Sequence, residues 1–108
     1  MYVLIVNGQP LGRSLAALLV DHGHEVAYVD EEAEFCAMVT SEVGCLVIQG
    51  DNTNLRILQE AGIEHADVVV ALMDEDINNI MVGLFAKQFG VPRVLARLRQ
   101  QHYRAAYE

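Results

Sequence analysis

The sequence of 108 residues predicts an α/β fold, a doubly wound, Rossmann-like parallel sheet of five strands in the order 3-2-1-4-5 with helices on both faces. Short apolar runs alternate with helical segments along the chain, which is the pattern of successive βαβ units. A glycine-containing loop follows the first run, and an acid, Asp30, closes the second. Since carboxyl ends of parallel strands share one edge of the sheet, we expect these two features to meet.

The elements are predicted from apolar periodicity and from capping residues. The expected strands are Tyr2–Val6, Glu25–Val29, Cys45–Ile48, Asp67–Leu72, and Arg93 to Ala96 or Arg97. The expected helices are Arg13–His22, Glu31–Ser41, a short one capped by Asn52, Thr53 or Asn54, one that begins after Asp74-Glu75-Asp76 and runs to Phe89, and a last one over Gln100–Tyr107.

Each of the first three helices carries an apolar stripe that we expect to face the sheet. The stripes are Leu11, Leu15, Leu18 and Leu19 in the first, Ala33, Cys36, Ala37 and Thr40 in the second, and Leu55, Leu58 and Ala61 in the third. Helix four is different, because apolar residues cover well over half of its circumference and only Asn79, Gly83 and Lys87 form a polar stripe. Its surplus apolar face predicts a subunit interface, and cover by the last helix is the alternative.

Composition restricts the class of protein. With 53% apolar residues, the chain is predicted to be one domain over residues 1–108. A net charge of −8 argues against nucleic acid or an anionic membrane as partner. No apolar run reaches the length of a membrane span and no signal peptide is recognised, so a cytoplasmic protein is expected. Cys36 and Cys45 are expected to be buried free thiols, with a disulfide as the alternative.

Four blocks of sequence resemble the N-terminal domain of regulators of potassium conductance, also called the TrkA-N or KTN domain. They read LIVNGQPLGRSLAALL, HEVAYVDEE, VIQGDNTNLRILQEAGIEHADVVVALMDEDINNIM and VPRVLARLRQ. The resemblance implies a non-enzymatic regulatory domain that binds NAD(H) or ATP, ADP or AMP. It also implies dimers or larger rings, formed here through helix four and the last helix, that act on a membrane potassium channel or transporter. Relative to the full family domain, which continues through a further strand and helix, this sequence is truncated.

The family's loop reads G-x-G-x-x-G, and aligning it on Gly12 gives Asn7 and Gln9 at the first two glycine positions. Gly8 is a displaced glycine, and Pro10, which has no N–H, stands where the family often has a basic residue. The loop residues Asn7, Gly8, Gln9, Pro10, Leu11 and Gly12 are therefore candidates for phosphate binding, and a loop kept only as structure is the alternative. The Gln9 side chain is expected either to block the pyrophosphate position or to reach into it. Arg13 and Ser14 are candidates to restore part of the binding.

Asp30 follows Gly12 by 18 residues, close to the spacing of a ribose-binding acid. A carboxylate accepts hydrogen bonds from ribose hydroxyls and repels a 2′-phosphate, so NADP should be excluded. The alternative role is an N-cap for the second helix.

The remaining candidates follow from the resemblance. Asp51 and Asn52 correspond to the segment beside the adenine, and Leu72 and Met73 to the end of strand four against the nucleotide. Arg97 corresponds to a basic residue near the phosphate, with a surface salt bridge as the alternative. We expect no metal site, because His22 and His24 lack a third ligand.

Three functions are considered. The first is a nucleotide-sensing regulatory domain of a potassium uptake or channel system. The second is a ligand-free family member that acts as a dimerisation or interaction scaffold. The third is an NAD-binding oxidoreductase fragment, which is disfavoured because no catalytic acid or base accompanies the half-fold.

Overall fold

The computed structural model describes residues 1–99, and over them the chain forms a parallel five-stranded sheet. The strands are β1 (Tyr2–Val6), β2 (Glu25–Asp30), β3 (Leu46–Gln49), β4 (Val68–Ala71) and β5 (Arg93–Ala96). Their order is β3-β2-β1-β4-β5, as predicted. β1 pairs in parallel with β2 on one side and with β4 on the other, so the order of strands reverses direction beside β1. The predicted fold class is thus confirmed.

Four helices and one 3₁₀ turn connect the strands. They are α1 (Leu11–Asp21), α2 (Ala33–Glu42), α3 (Leu55–Glu60), the 3₁₀ turn Ile63–His65 and α4 (Asp76–Gln88). The turn was not predicted. It begins after Gly62, whose φ of 91° lies in the left-handed region that favours glycine. An added Cβ there would also lie 2.6 Å from the Tyr2 hydroxyl oxygen. The predicted last helix, Gln100–Tyr107, lies outside the described residues.

The helices divide between the two faces of the sheet, and each face has its own core. Leu4 and Val6 of β1 pack with residues of α3 and α4, whereas Val3 and Ile5 pack with residues of α1 and α2. This alternation follows from the two-residue period of a strand. Both faces of the central strand are therefore covered, which explains its unbroken run of apolar residues.

The predicted stripe of α1 is wrong in part. Leu11 and Leu18 are exposed, and the buried residues of the helix are Gly12 and Ala16. Leu15 and Leu19 are partly buried and pack against the core of this face, as predicted. Small residues four positions apart, Gly12 and Ala16, let the helix lie close to the sheet.

The stripes of α2 and α3 also need correction. In α2, Cys36 and Val39 are buried, while the predicted contacts Ala33, Ala37 and Thr40 are exposed. Residues three apart share a helix face, so the buried face of α2 is the one with Cys36 and Val39, and the other three positions lie outside it. In α3, Leu58 and Ala61 are buried as predicted, and Leu55 is exposed.

The polar stripe predicted for α4 is wrong, because Asn79 and Gly83 belong to the buried face with Val82 and Ala86. The Asn79 amide is buried without penalty because its polar atoms are hydrogen-bonded, as described below. The surplus apolar face is exposed within the chain: Ile77, Met81 and Leu84 have exposed fractions of 50%, 39% and 58%.

Both cysteines are free thiols; Cys36 is buried and Cys45 is half-buried. Burial raises the pKa of each thiol, which keeps both protonated at neutral pH.

Candidate functional site

The loop that follows β1 lies at the carboxyl edge of the sheet, where β1 sits between β2 and β4. Asn7 N donates to the Val29 carbonyl oxygen across 2.8 Å, and Leu72 N donates to the Val6 carbonyl oxygen across 3.0 Å. The loop therefore begins in register with the ends of both neighbouring strands. In open α/β sheets this is the place where ligands bind.

The first two loop residues have left-handed backbone conformations. The φ of Asn7 is 64° and that of Gly8 is 93°. Asparagine is among the few residues with a side chain that tolerate this region, and the Asn7 side-chain oxygen accepts a hydrogen bond from Gly8 N. Asn7 thus preserves a glycine-like conformation at the family's first glycine position.

Two glycines of the loop allow close approach of backbone atoms. A Cβ on Gly8 would lie 2.4 Å from Leu72 Cβ, and one on Gly12 would lie 2.3 Å from the Asn7 carbonyl oxygen. Gly12 also meets the ring of Tyr28, whose Cε2 would be 3.3 Å from the added Cβ. Both glycines are therefore required for the loop to fold between β4 and β2.

The loop passes directly into α1. Pro10 is the N-cap residue and makes no side-chain capping bond. Gly12 N donates to the Gly8 carbonyl oxygen, and Ser14 N donates to the Pro10 carbonyl oxygen across 3.1 Å. The Gln9–Pro10 peptide bond is cis. The first turn of the helix points its amino end toward the carboxyl edge of the sheet, where the helix dipole favours negative charge.

Asp30, the last residue of β2, is 1% exposed. Its Oδ2 accepts a hydrogen bond from the Tyr28 hydroxyl group at 2.6 Å, and its Oδ1 accepts one from Glu32 N at 3.0 Å. The N-cap residue of α2 is Glu32, so the alternative role predicted for Asp30, the N-cap of this helix, is wrong, although Asp30 accepts from the N–H group just before the helix. A carboxylate has about four acceptor positions, so these two contacts leave about two of them unused.

Tyr28 connects Asp30 to the loop. Its hydroxyl oxygen accepts a hydrogen bond from Gln9 Nε2 at 2.5 Å, while its proton goes to Asp30. The Tyr28 side chain is fully buried. Burial and, after it, the hydrogen bond to Asp30 raise the pKa of Tyr28, so the hydroxyl group stays a donor. The Gln9 side chain thus reaches inward instead of projecting into solvent.

The segment after β3 lies next to Asp30. Gly50 N donates to the Asp30 carbonyl oxygen across 3.0 Å, and Asn52 N contacts Glu31 Oε1 at 3.4 Å. Asp51 is exposed, and hydrogen bonds from the backbone N–H and hydroxyl group of Thr53 lower its pKa. Asn52 is buried, and its side-chain oxygen has no hydrogen-bond partner within the described residues.

The end of β4 is held by two side chains from other elements. Asn79 Oδ1 accepts from Met73 N at 2.8 Å, and Asn79 Nδ2 donates to the carbonyl oxygens of Met73 and Arg97 at 2.9 and 2.8 Å. Arg97 donates to the Leu72 carbonyl oxygen at 2.8 Å and lies 3.7 Å from Asp74. The side chains of Leu72 and Met73 are buried in opposite cores.

The cationic side chains near the loop are engaged with other groups of the protein. Arg13 lies 3.5 Å from Glu42 and 3.7 Å from the sulfur of Met38, so it faces α2. Arg97 faces the carbonyl groups that end β4, and the salt bridge considered for it is formed with Asp74. A phosphate at this edge would rely mainly on backbone N–H groups and the amino end of α1.

The structure brings most of the predicted residues to one edge, and it shows two connecting side chains that were not predicted as part of the site. Tyr28 links Gln9 to Asp30, and Asn79 joins the ends of β4 and β5. Tyr28 carried a signal, since a residue two positions before Asp30 lies on the same face of the strand. Asn79 carried one as well, since it matches the family's pattern at the start of helix four, but its position looked like part of a solvent-facing stripe.

Residues 1–99 contain no group of three histidine, cysteine or acidic side chains arranged to hold a metal ion. Over the same range, no helix combines the length and the apolar character that crossing a bilayer requires.

The fold and this edge define a Rossmann-like half-fold of the nucleotide-binding type. The family model of the TrkA-N domain matches residues 3–108. The chain therefore belongs to the TrkA-N domain family, as its sequence motifs predicted.

Similar proteins agree with this assignment. A Trk system potassium uptake protein TrkA homolog from Methanothermobacter thermautotrophicus is 34% identical over 108 residues, covering 100% of this chain and 50% of that protein. The Trk system potassium uptake protein TrkA of Halomonas elongata is 34% identical over 102 residues, covering 94% of this chain and 22% of that protein. The chain thus spans half or less of these relatives.

A solved structure shares the fold. The Kef CTD of Shewanella denitrificans in AMP-bound form has a TM-score of 0.82 at 18% identity, and the match covers 99% of this chain and 65% of that one.

Proposed function

We propose that this chain is the nucleotide-sensing part of a regulator of potassium uptake, and that it binds an adenine nucleotide or NAD(H) at the carboxyl edge between β1 and β4. The ribose hydroxyls donate to Asp30, and the phosphate lies against the loop of Asn7–Gly12. The base lies toward Asp51 and Asn52. On this proposal the domain acts by binding and not by catalysis.

The observation that carries the proposal is the state of the Asp30 carboxylate. It is buried at the end of β2, yet only Tyr28 and Glu32 donate to it in the described part of the chain. A buried carboxylate with unused acceptor positions gains from further donors, which two ribose hydroxyls supply. The neighbouring acids Glu31 and Asp51 add negative charge, so a 2′-phosphate is disfavoured and NADP should not bind.

Support for an adenine nucleotide also comes from similarity. The structural neighbour is described in AMP-bound form, and its fold matches almost all of this chain. The curated relatives are Trk potassium uptake proteins. We therefore propose a membrane potassium transporter or channel as the partner and the cytoplasm as the location.

A second candidate function is a ligand-free scaffold that assembles through α4. It is favoured by the engagement of Gln9 and Arg97 with protein groups at the candidate site. It is also favoured by the exposed stripe of Ile77, Met81 and Leu84 on α4, which lies outside both cores. Exposed apolar stripes of this kind mark interaction surfaces. Assembly is compatible with nucleotide sensing, so the two functions are separated by ligand binding alone.

Thermal shift measurements with millimolar AMP, ATP, NAD and NADH test the proposal. A ligand that binds only the folded state raises the melting temperature, by several degrees when its concentration is well above Kd. NADP serves as the matched ligand that should give no shift. If all five compounds leave the melting temperature unchanged, the sensor proposal fails and the scaffold remains.

A further inference from the structure

Gln9, Tyr28 and Asp30 form a continuous chain of hydrogen bonds across the proposed ribose site. Gln9 Nε2 donates to the Tyr28 hydroxyl oxygen at 2.5 Å, and the hydroxyl proton goes to Asp30 Oδ2 at 2.6 Å. A hydroxyl group that accepts one hydrogen bond is polarised and donates the next more strongly. The chain therefore ties the side chain at the family's second glycine position to the carboxylate that recognises ribose.

Of the three residues, only Gln9 is not fully buried. Tyr28 is fully buried beneath α1, and its ring lies 3.3 Å from the position of an added Cβ on Gly12. Asp30 is 1% exposed and is held at its other oxygen by Glu32 N. Gln9 is half-buried in the loop, and its side chain makes its hydrogen bond to Tyr28 alone among the described residues.

We propose that Gln9 is a built-in competitor for the ribose, held in place by Tyr28, and that this pair sets the affinity of the site. The inference rests on the proposed nucleotide site. Asp30 is almost inaccessible, so a ribose hydroxyl reaches it only after a neighbouring group withdraws. Gln9 is the half-buried neighbour, joined to Asp30 through the Tyr28 hydroxyl group, and we assign the withdrawal to it. Each binding event then breaks the Gln9–Tyr28 hydrogen bond, which weakens binding by the net value of that bond.

The net free energy of the Gln9–Tyr28 hydrogen bond determines how much the nucleotide affinity should change when that bond is removed. A neutral hydrogen bond in a protein contributes a net amount that corresponds to a roughly 2- to 12-fold change in an equilibrium constant. Gln9→Ala should therefore bind a nucleotide roughly 2- to 12-fold more tightly than the wild type. Tyr28→Phe removes the partner of Gln9, so Gln9→Ala should cause no further gain in that background.

Isothermal titration calorimetry with AMP and with NADH tests the inference on four proteins: wild type, Gln9→Ala, Tyr28→Phe and the double variant. Gln59→Ala is the matched control, because Gln59 Nε2 also donates a hydrogen bond, at 2.8 Å to Glu64, but on the exposed side of α3, away from the proposed site. The control should bind as the wild type does.

The outcomes separate the two proposals. Tighter binding by Gln9→Ala alone, absent in the Tyr28→Phe background, supports the competitor. If the wild type binds either probe and Gln9→Ala binds it equally or more weakly, the competitor is refuted while the nucleotide site stands. If neither protein binds either probe, the competitor and the proposed function are both refuted.

Discussion

The hydroxyl group of Tyr28 donates a hydrogen bond to the Asp30 carboxylate across 2.6 Å, with both side chains almost completely buried. The pair joins two positions of β2 that face the same side of the sheet, and it orients the acid that we assign to ribose binding. Since a carboxylate is costly to bury without donors, this bond is also a stability element of the fold.

Alkaline pH should weaken the contribution of Tyr28. Burial raises its pKa above 10.0, the value of an unperturbed tyrosine, while in the unfolded chain the group titrates near that value. The folded state therefore keeps the proton that the unfolded state loses, and the stability from Tyr28 is complete below pH 10 and decreases above it. The decrease approaches about 1.4 kcal/mol for each pH unit.

Urea unfolding at several pH values, with tyrosinate absorbance to follow ionisation, measures this effect. Tyr28→Phe should be less stable than the wild type at pH 7, since Asp30 loses a donor. The difference should shrink as the pH rises beyond 10. Wild-type and variant curves that stay parallel over this range would contradict the assignment of the raised pKa to Tyr28.

Gly12 should not tolerate a side chain. In Gly12→Ala the new Cβ would lie 2.3 Å from the Asn7 carbonyl oxygen, a backbone atom that cannot withdraw without moving the loop. We expect a loss of about 3 kcal/mol, measured as a fall of more than about 10 °C in melting temperature. Gly23→Ala is the control: its φ is 83° but the space around it is open, so it should cost only about 1–2 kcal/mol. Equal losses in the two variants would show that steric contact at Gly12 is unimportant.

Asn79 should be a major stability residue although it lies on a surface helix. Asn79→Ala removes three hydrogen bonds and leaves the buried Met73 N–H without an acceptor, which should cost about 2–4 kcal/mol. Asn78→Ala, one residue earlier, should change the free energy of unfolding by less than about 0.5 kcal/mol. Chemical denaturation of both variants gives the comparison, and a mild effect of Asn79→Ala would mean that the ends of β4 and β5 are held by other contacts.

The exposed face of α4 should make the protein a dimer at micromolar concentration. Leu84, 58% exposed, is the last and most exposed residue of the stripe with Ile77 and Met81, so Leu84→Glu places a charge within this surface. Light scattering should then give the mass of a monomer. Leu95→Glu, the same change at the 61% exposed Leu95 of β5, should leave the dimer intact. A wild-type mass of a monomer would refute the interface.

The fold was predictable because its signals are local. β1 has the bounds Tyr2–Val6 that its apolar run predicted, and the strand order follows from the alternation of strands and helices. Helix faces were less predictable, because a stripe of large apolar residues does not reveal where small residues allow closer packing. Leu11 and Leu18 of α1 are exposed for this reason, and Ala16 is buried.

At the candidate site, the sequence predicted the loop and Asp30 but not the contacts between them. The hydrogen bond of Gln9 with Tyr28 joins residues 19 positions apart and depends on how the loop folds back over β2. The amide of Asn79 looked like a solvated side chain, because its contacts with Met73 and Arg97 depend on how α4 packs against the ends of β4 and β5. Contacts of this kind follow from tertiary packing, which periodicity and capping signals do not encode.

The central claim is that Asp30 binds the hydroxyl groups of a ribose, and a ligand that lacks them tests it most directly. Calorimetric titration should compare AMP with 2′,3′-dideoxyadenosine monophosphate on the wild type and on Asp30→Asn. The account predicts that AMP binds the wild type at least about tenfold more tightly than the dideoxy compound, because each charge-assisted hydrogen bond contributes about 1.5–3 kcal/mol. In Asp30→Asn the preference should disappear. Equal affinities of the wild type for the two compounds, or no binding of either AMP or NADH, would contradict the account.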